Sequence, residues 1–329
     1  MATLEVTHPT MLDVIRRTAP DGKIDQVAEF LSLMNPMIED MPMKEGNLPT
    51  GHRSTIRTGL PTVTWRKLNG GVVPSKSRTA QIDHSCGMLE AYAEVDKALA
   101  ELNGNSAAWR WSEDKAFVES MAQEHASTLV YGNEGTEPEA FTGFAAHYND
   151  QSAENACNIL TSAATPDSTD NTSIWLIAWG DEIHGIYPKG STTAGIQVSD
   201  LGEHTLGDST NGLYQGYRTH YKLNTGLRIG DWRYAVRINF DLEDVISSAA
   251  TGPDLPDLMA QATDIIPSLA GRKPVFYANR SAMSKIRQQI EYKSRNTAKW
   301  EDVGGRPVMQ YLGIPVRRCD AIQSTESGL

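Results

Sequence analysis

Residues 112–133 read SEDKAFVESMAQEHASTLVYGN, and residues 135–148 continue GTEPEAFTGFAAHY. In the first run Val118, Met121, Ala122, His125 and Leu129 recur at steps of three and four, which lays one apolar stripe along a helix. Ser112 has the side chain of an N-cap, and Glu113 and Asp114 place negative charge at the positive end of the helix dipole. Gly132 and Asn133 tolerate the left-handed backbone that stops a helix. The expected helix is about five turns, roughly 30 Å at 1.5 Å per residue, long enough to be the spine around which the chain is built.

Outward from that spine, the C-terminal half is rich in strands. Ile174 to Ala178 is a short apolar run of the kind that forms a strand buried on both faces. Ile183–Tyr187 and 194–198 are further candidate strands. Tyr217, Thr219, Tyr221 and Leu223 alternate with polar residues, the pattern of a half-buried strand, and 232–240 repeats it. Asn224-Thr-Gly226 reads as a turn between them. Helical periodicity returns over 255–269 and after Asn279, with a strand at 274–277 between. A hairpin over 299–303 and 307–312, turning at Gly304-Gly305, and a strand at 314–318 complete the run. A helix is also expected over 152–160, and a helical link over 94–102 with Trp109 and Trp111 packed at the start of the spine. Helices and strands interleave without strict alternation, which makes the class α+β.

The N-terminal side is different. Two short amphipathic segments within 10–31 are broken by Pro20-Asp-Gly22, Asn35-Pro36 and Met41-Pro42. From Gly46 to Ile82 there is no acidic residue, while Arg53, Arg57, Arg66, Lys67, Lys76 and Arg78 are basic. Thr55-Ile-Arg-Thr58 and Thr62-Val-Thr-Trp-Arg66 read as strand, Asn69-Gly-Gly71 as a turn and Thr79–Asp83 as the returning strand. This hairpin has few apolar residues to bury, and an isolated hairpin is marginal in water. It is expected to rest on another chain.

Four stretches carry a resemblance. Leu129-Val-Tyr-Gly-Asn133 followed by Pro138-Glu-Ala-Phe-Thr-Gly-Phe144 resembles major capsid proteins of tailed bacteriophages, whose spine helix ends in a Tyr-Gly-Asn/Asp step before a P-x-x-F-x-G-L segment. Trp175–Asp181 with His184–Gly190 resembles that family's W-G…G-x-Y-P-K-G segment, and Tyr311–Asp320 is similar to its closing G-x-P-V…D strand. The four lie in the family's order along nearly the whole chain. The resemblance implies a Hong Kong 97-type fold. On that pattern residues 1–45 are an N-terminal arm and 46–92 an extended loop. Residues 93–160 and 293–329 are a peripheral domain, and 161–292 an axial domain. It also implies pentamers and hexamers of an icosahedral shell in the virion, assembled in the host cytoplasm and enclosing DNA. Scaffold, portal and decoration proteins are the further implied partners. In such a shell the loop lies across a neighbour's spine, so its cations are expected to meet Glu119 and Glu124 of another copy.

The bulk numbers agree with a globular chain: 329 residues, with 40% hydrophobic and 22% charged. A net charge of −11 argues against a protein built to grip nucleic acid, which requires clustered cations. The hairpin alone has the charge for it, but only Trp65 to stack a base. Cys86, Cys157 and Cys319 are too scattered for a disulfide framework, and neither a membrane span nor a signal peptide is expected. No nucleotide, zinc-protease or nucleophile-elbow motif is present, so no cofactor and no enzymatic activity are expected. The competing site is the turn Asp181-Glu182-Ile183-His184, which could hold a metal or an acid–base pair in an α+β enzyme. Asn239–Asp244 is an acidic alternative for a divalent cation. A tail or baseplate protein is the other self-associating alternative.

Overall fold

The computed structural model describes residues 35–101, 106–162, 170–191, 194–207, 212–245, 252–292, 298–303 and 306–329. The amphipathic segments within 10–31 and the Gly304-Gly305 turn lie outside these residues, as does the side chain of Trp109. In chain order, α1 (Pro36–Asp40) leads into β1 (Met43–Glu45), β2 (Gly51–Gly59) and β3 (Arg78–Asp96). Helices α2 (Lys97–Ala100) and α3 (Ser106–Tyr131) follow, then α4 (Phe144–His147) and β4 (Ile159–Thr161). Strands β5 (Asn171–Trp179), β6 (Ile183–Tyr187), β7 (Gln197–Gly207), β8 (Leu213–Ile229) and β9 (Ala235–Asp241) run up to α5 (Leu255–Ile265). Strand β10 (Lys273–Ala278), α6 (Arg280–Tyr292), β11 (Ala298–Val303), β12 (Arg306–Tyr311) and β13 (Ile314–Arg318) finish the order.

These strands form two sheets. One has the order β11-β12-β13-β10-β5-β9-β4, with β5 an interior strand between β10 and β9. Every residue of β5 is buried, as the apolar run at 174–178 predicts. The other sheet has the order β1-β6-β8-β3-β2, with β7 also on β8. The sheets cut across the sequential division expected at 160/161 and 292/293. Strands β6 to β8 hydrogen-bond into the sheet of β3, while β13 lies parallel to β10 in the central sheet.

The spine, α3, spans 26 residues, about 39 Å, and starts six residues before Ser112. Its buried face is Met121, His125, Ala126, Leu129 and Val130, so Val118 falls on the outer side. Trp111 does not pack; it is 64% exposed, with Lys115 Nζ 5.8 Å from its ring centre. Neither Gly132 nor Asn133 adopts positive φ. Glycine is required at 132 because a Cβ there would lie 2.4 Å from the Phe141 carbonyl oxygen and 2.5 Å from that of Thr128. At Gly143 a Cβ would lie 2.5 Å from the same Thr128 oxygen. Gly143 N–H donates to the Gly132 carbonyl at 2.8 Å, closing the loop between them.

Several local readings change in three dimensions. Strand β3 continues to Asp96 where a helix was expected, because Ala91, Ala93 and Val95 alternate inward at period two. Asp96 Oδ1 then caps α2 by accepting from Ala98 N at 2.7 Å. The expected helix over 152–160 is one 3-10 turn and β4, since Asn158 Nδ2 donates to the Ala235 carbonyl at 2.8 Å and fixes the segment beside β9. β8 passes straight through Asn224-Thr-Gly226, and β9 is wholly buried because it lies between β5 and β4.

Two buried carboxylates tie the residues before β1 and the C-terminal segment to the seven-stranded sheet. Asp40 accepts from Lys273 Nζ at 2.7 Å and Tyr277 OH at 2.8 Å, with Arg317 Nη1 at 3.1 Å. Met37 and Met41 join the main core beside it, so this part of the N-terminal region is buried on its own chain. The polar residues after Ile322 are not a free tail. Glu326 is 5% exposed and accepts from Arg237 Nη2 at 2.8 Å and Tyr131 OH at 2.6 Å, and also from Ser173 Oγ. Its backbone N–H donates to the Asn171 carbonyl at 2.8 Å. Arg237 completes its fork with Ser173 Oγ at 2.9 Å and the Tyr148 carbonyl at 2.8 Å.

Glu326→Ala is expected to destabilise the unassembled subunit by about 3–5 kcal/mol, because it strands a buried guanidinium. Glu326→Gln, which keeps an acceptor, should cost less. Urea midpoints of the three chains check this; an unchanged midpoint for Glu326→Ala would show that the tail adds nothing to stability.

Candidate assembly hairpin and its histidine root

β2 and β3 pair in antiparallel register from Gly51↔Ser85 to Arg57↔Thr79, with an irregularity before Gly59↔Arg78. Beyond them residues 60–77 form no strand, although Thr62–Arg66 has strand-like composition, because Pro61 breaks the ladder. The tip is ordered by local bonds. Asn69 sits at φ 61°, Gly70 N–H donates to the Lys67 carbonyl at 3.1 Å, and Arg66 Nε donates to the Gly70 carbonyl at 2.8 Å. Ser75 Oγ donates to the Thr62 carbonyl at 2.8 Å and holds the two arms together. Leu60, Val63, Trp65, Leu68 and Val73 are all more than 80% exposed. Among the described residues nothing covers this cluster of apolar side chains, the kind of patch at which interaction surfaces are found.

The six cations are all exposed. Arg53 is engaged at home, with Nε and Nη2 each 2.6 Å from the two carboxylate oxygens of Asp83. Arg57 and Arg78 lie toward the outer end of the ladder, and Arg66, Lys67 and Lys76 on the tip. On the spine Glu119 accepts from Gln123 Nε2 at 2.8 Å, and Glu124 is exposed one turn further on. One chain does not bring the tip and Glu124 together. Glu124 flanks Met88 of β3, and β3 runs unbroken from Met88 back to Arg78, about 33 Å at 3.3 Å per residue.

The root of the hairpin holds a cluster that no sequence periodicity signals. His52 on β2 is the register partner of His84 on β3, and His184 on β6 is the partner of Arg228 on β8. The His52 and His184 rings meet edge-on with centroids 6.5 Å apart. Arg228 Nε donates to Ser54 Oγ at 2.9 Å and Nη1 to the Asp181 carbonyl at 2.7 Å. His52 Nδ1, His84 Nε2 and His184 Nδ1 are buried with no hydrogen-bond partner among the described residues. Burial, reinforced by His147, Arg228 and His52, pushes His84 down to about 4. Burial, then Arg228 and Lys44, pushes His184 down to about 4 as well. Only cross-strand register brings these residues together.

The competing sites dissolve into structural roles. Asp181 is 91% exposed and ion-paired to Lys44, which holds its carboxyl below the usual range, whereas His184 is 3% exposed inside the sheet. Asp241 Oδ1 accepts from Glu243 N at 2.8 Å in a turn. His125 is buried, 3.4 Å from Thr225 Oγ1 and edge-on to Phe141. Among the described residues no group of three or more His, Cys, Asp or Glu could hold a metal ion, and no helix is long and apolar enough to cross a membrane.

Comparison with known proteins follows the same direction. A family model described as Major capsid protein GP7 matches residues 19–329. A structure of bacteriophage Epsilon15 is similar over 100% of this chain and 99% of its own, at 31% identity and a TM-score of 0.78. The capsid of a native GTA particle matches 68% of this chain and 97% of its own, at 8% identity and a TM-score of 0.44. A Mycobacterium phage Bobi structure matches the same shares, at 11% identity and a TM-score of 0.42. No curated protein matches the chain.

The buried histidines are expected to make the fold acid-sensitive. Each is neutral when folded and takes a proton when unfolded below its ordinary value of 6.5, so the unfolded state binds more protons and stability falls with pH. The loss should run from about pH 6.5 down to about 4. His84→Gln with His184→Gln is expected to flatten that limb in urea titrations, and an equally steep limb in the double variant would place the acid sensitivity elsewhere.

Proposed function

The chain belongs to the major capsid protein GP7 family, and on that footing we propose that its basic hairpin is the element that joins one copy to the next. The protein is a structural, shell-forming component of a phage virion, with the Hong Kong 97-type fold that the motif order implies. Many copies of this one chain make the shell. The carrying observation for the hairpin is its tip: apolar residues more than 80% exposed, among cations, on a strand-free loop beyond the outer end of the β2–β3 ladder.

The finer reading follows from charge and topology. The seven-stranded sheet with α5 and α6 is the axial domain, and the spine with the six-stranded sheet is the peripheral domain. The extended loop reaches from the latter over a neighbour. Its cations face the acidic side of that neighbour's spine, at Glu119 and Glu124. Exposed pairs are individually weak, yet repetition around a closed ring multiplies each one. Pentamers and hexamers, a scaffold, a portal, decoration proteins and assembly in the host cytoplasm belong to the same reading. The shell encloses DNA without gripping it, consistent with the net charge of −11. Its role is mechanical and not catalytic.

Arg57→Glu with Arg66→Glu is expected to stop assembly of purified subunits in the absence of nucleic acid. Adding Glu119→Lys with Glu124→Lys should restore part of the yield, counted by negative-stain microscopy. Assembly should also weaken as salt shortens the Debye length from about 10 Å toward 3 Å. Normal shells from the hairpin variant, with nucleic-acid binding lost instead, would assign the cations to phosphate.

A further inference from the structure

Where β3, α3 and the 137–141 segment meet, the surface opens into a cleft of about 170 Å³. Its walls include the apolar Leu89, Ala140 and Phe141, and Met88 is on one lip, 71% exposed. Its remaining rim includes three carboxylates, Glu124, Glu137 and Glu139, all exposed. An apolar bed inside an acidic rim fits a large uncharged side chain flanked by cations. The chain carries such a group. Trp65 is fully exposed at the hairpin tip and is followed directly by Arg66 and Lys67.

Taking the shell-forming reading as given, we propose that Trp65 of one copy seats in this cleft of a second copy, with Arg66 and Lys67 against its Glu124, Glu137 and Glu139. The occupant comes from another copy because β3 forbids the alternative. Met88, on the cleft, and Arg78, below the tip, are ten residues apart on one unbroken strand, about 33 Å. A nucleic acid is a poor occupant, since the three rim carboxylates repel phosphate. The contact is head-to-tail: knob and cleft are different surfaces, so every copy can use both at once and a ring can close. A tryptophan desolvated in a pocket and ringed by charges is the composition in which a few residues carry most of the energy of a contact.

Shell yield from purified subunits tests this directly. Trp65→Ala and Met88→Glu, both at exposed positions, are expected to lower it about tenfold or more while leaving the far-ultraviolet circular dichroism and urea midpoint of the monomer unchanged. Trp65→Phe should retain most of it. A second arm leaves the tryptophan intact. Lys67→Cys with Glu137→Cys, in a Cys157→Ser background, is treated with a short bis-maleimide. A ladder of covalent multimers on a denaturing gel is expected from the pair and from neither single variant. Normal yield from Trp65→Ala, or shells of the cysteine pair without a ladder, would overturn the docking while leaving the shell role standing. Wild-type chain that forms no closed particle would remove both.

Discussion

The constraint on which this molecule depends is the continuity of β3. Its 19 residues pair with β2 over the first part and with β8 over the second, so a single extended segment is both the hairpin's returning rail and a strand of the sheet beneath the spine. No hinge separates the two roles. At the changeover Gly87 and Gly226 admit backbone from neighbouring segments: a Cβ on Gly226 would lie 2.4 Å from the Ser85 oxygen, and one on Gly87 would lie 3.0 Å from that of Glu139. The direction in which the hairpin projects is therefore set by the sheet, and the sheet is set against the spine through Tyr221, Leu223, Ala93 and Met121.

The spine's other end is fixed by charge. Tyr131, in the last turn of α3, reaches Glu326, which is held by Arg237 from β9 and Ser173 from β5. One buried carboxylate thus connects the spine, the central sheet and the C-terminal segment. Burying an ion pair is costly unless its remaining donors and acceptors are matched, and here both carboxylate oxygens and the guanidinium fork have partners. The same logic at Asp40 fixes the residues before β1 against β10 and β13.

What could be read from the sequence was whatever depends on local period or local chemistry. The apolar run at 174–178 announces a strand buried on both faces, and the alternation at 217–223 announces a strand with one wet face. The all-basic hairpin, with too little apolar surface to bury at home, points outward. What stayed hidden depends on register and on partners distant in sequence. His52 and His84 meet only because β2 and β3 pair as they do. Glu326 looks like one more polar residue near a terminus until Arg237 is placed beside it. Glycine stands at 132 for lack of space and not for a left-handed backbone, a requirement set by Phe141 and therefore invisible to local pattern. The composition around position 94 suits either helix or strand, and the inward packing of Ala93 and Val95 makes it strand.

The β3–β8 ladder also has a mechanical meaning. Its register runs without interruption from Cys86↔Gly226 to Asp96↔Gly216, and the hairpin continues along the same axis. Tension applied at the hairpin tip therefore acts parallel to the strands and loads the ladder in shear. All its hydrogen bonds bear the force together and must slip as a set. Had the hairpin left the sheet at a right angle, the same pull would peel the strands apart one bond at a time. A container that swells or is pressurised from within would strain its subunits along the stronger of these two directions.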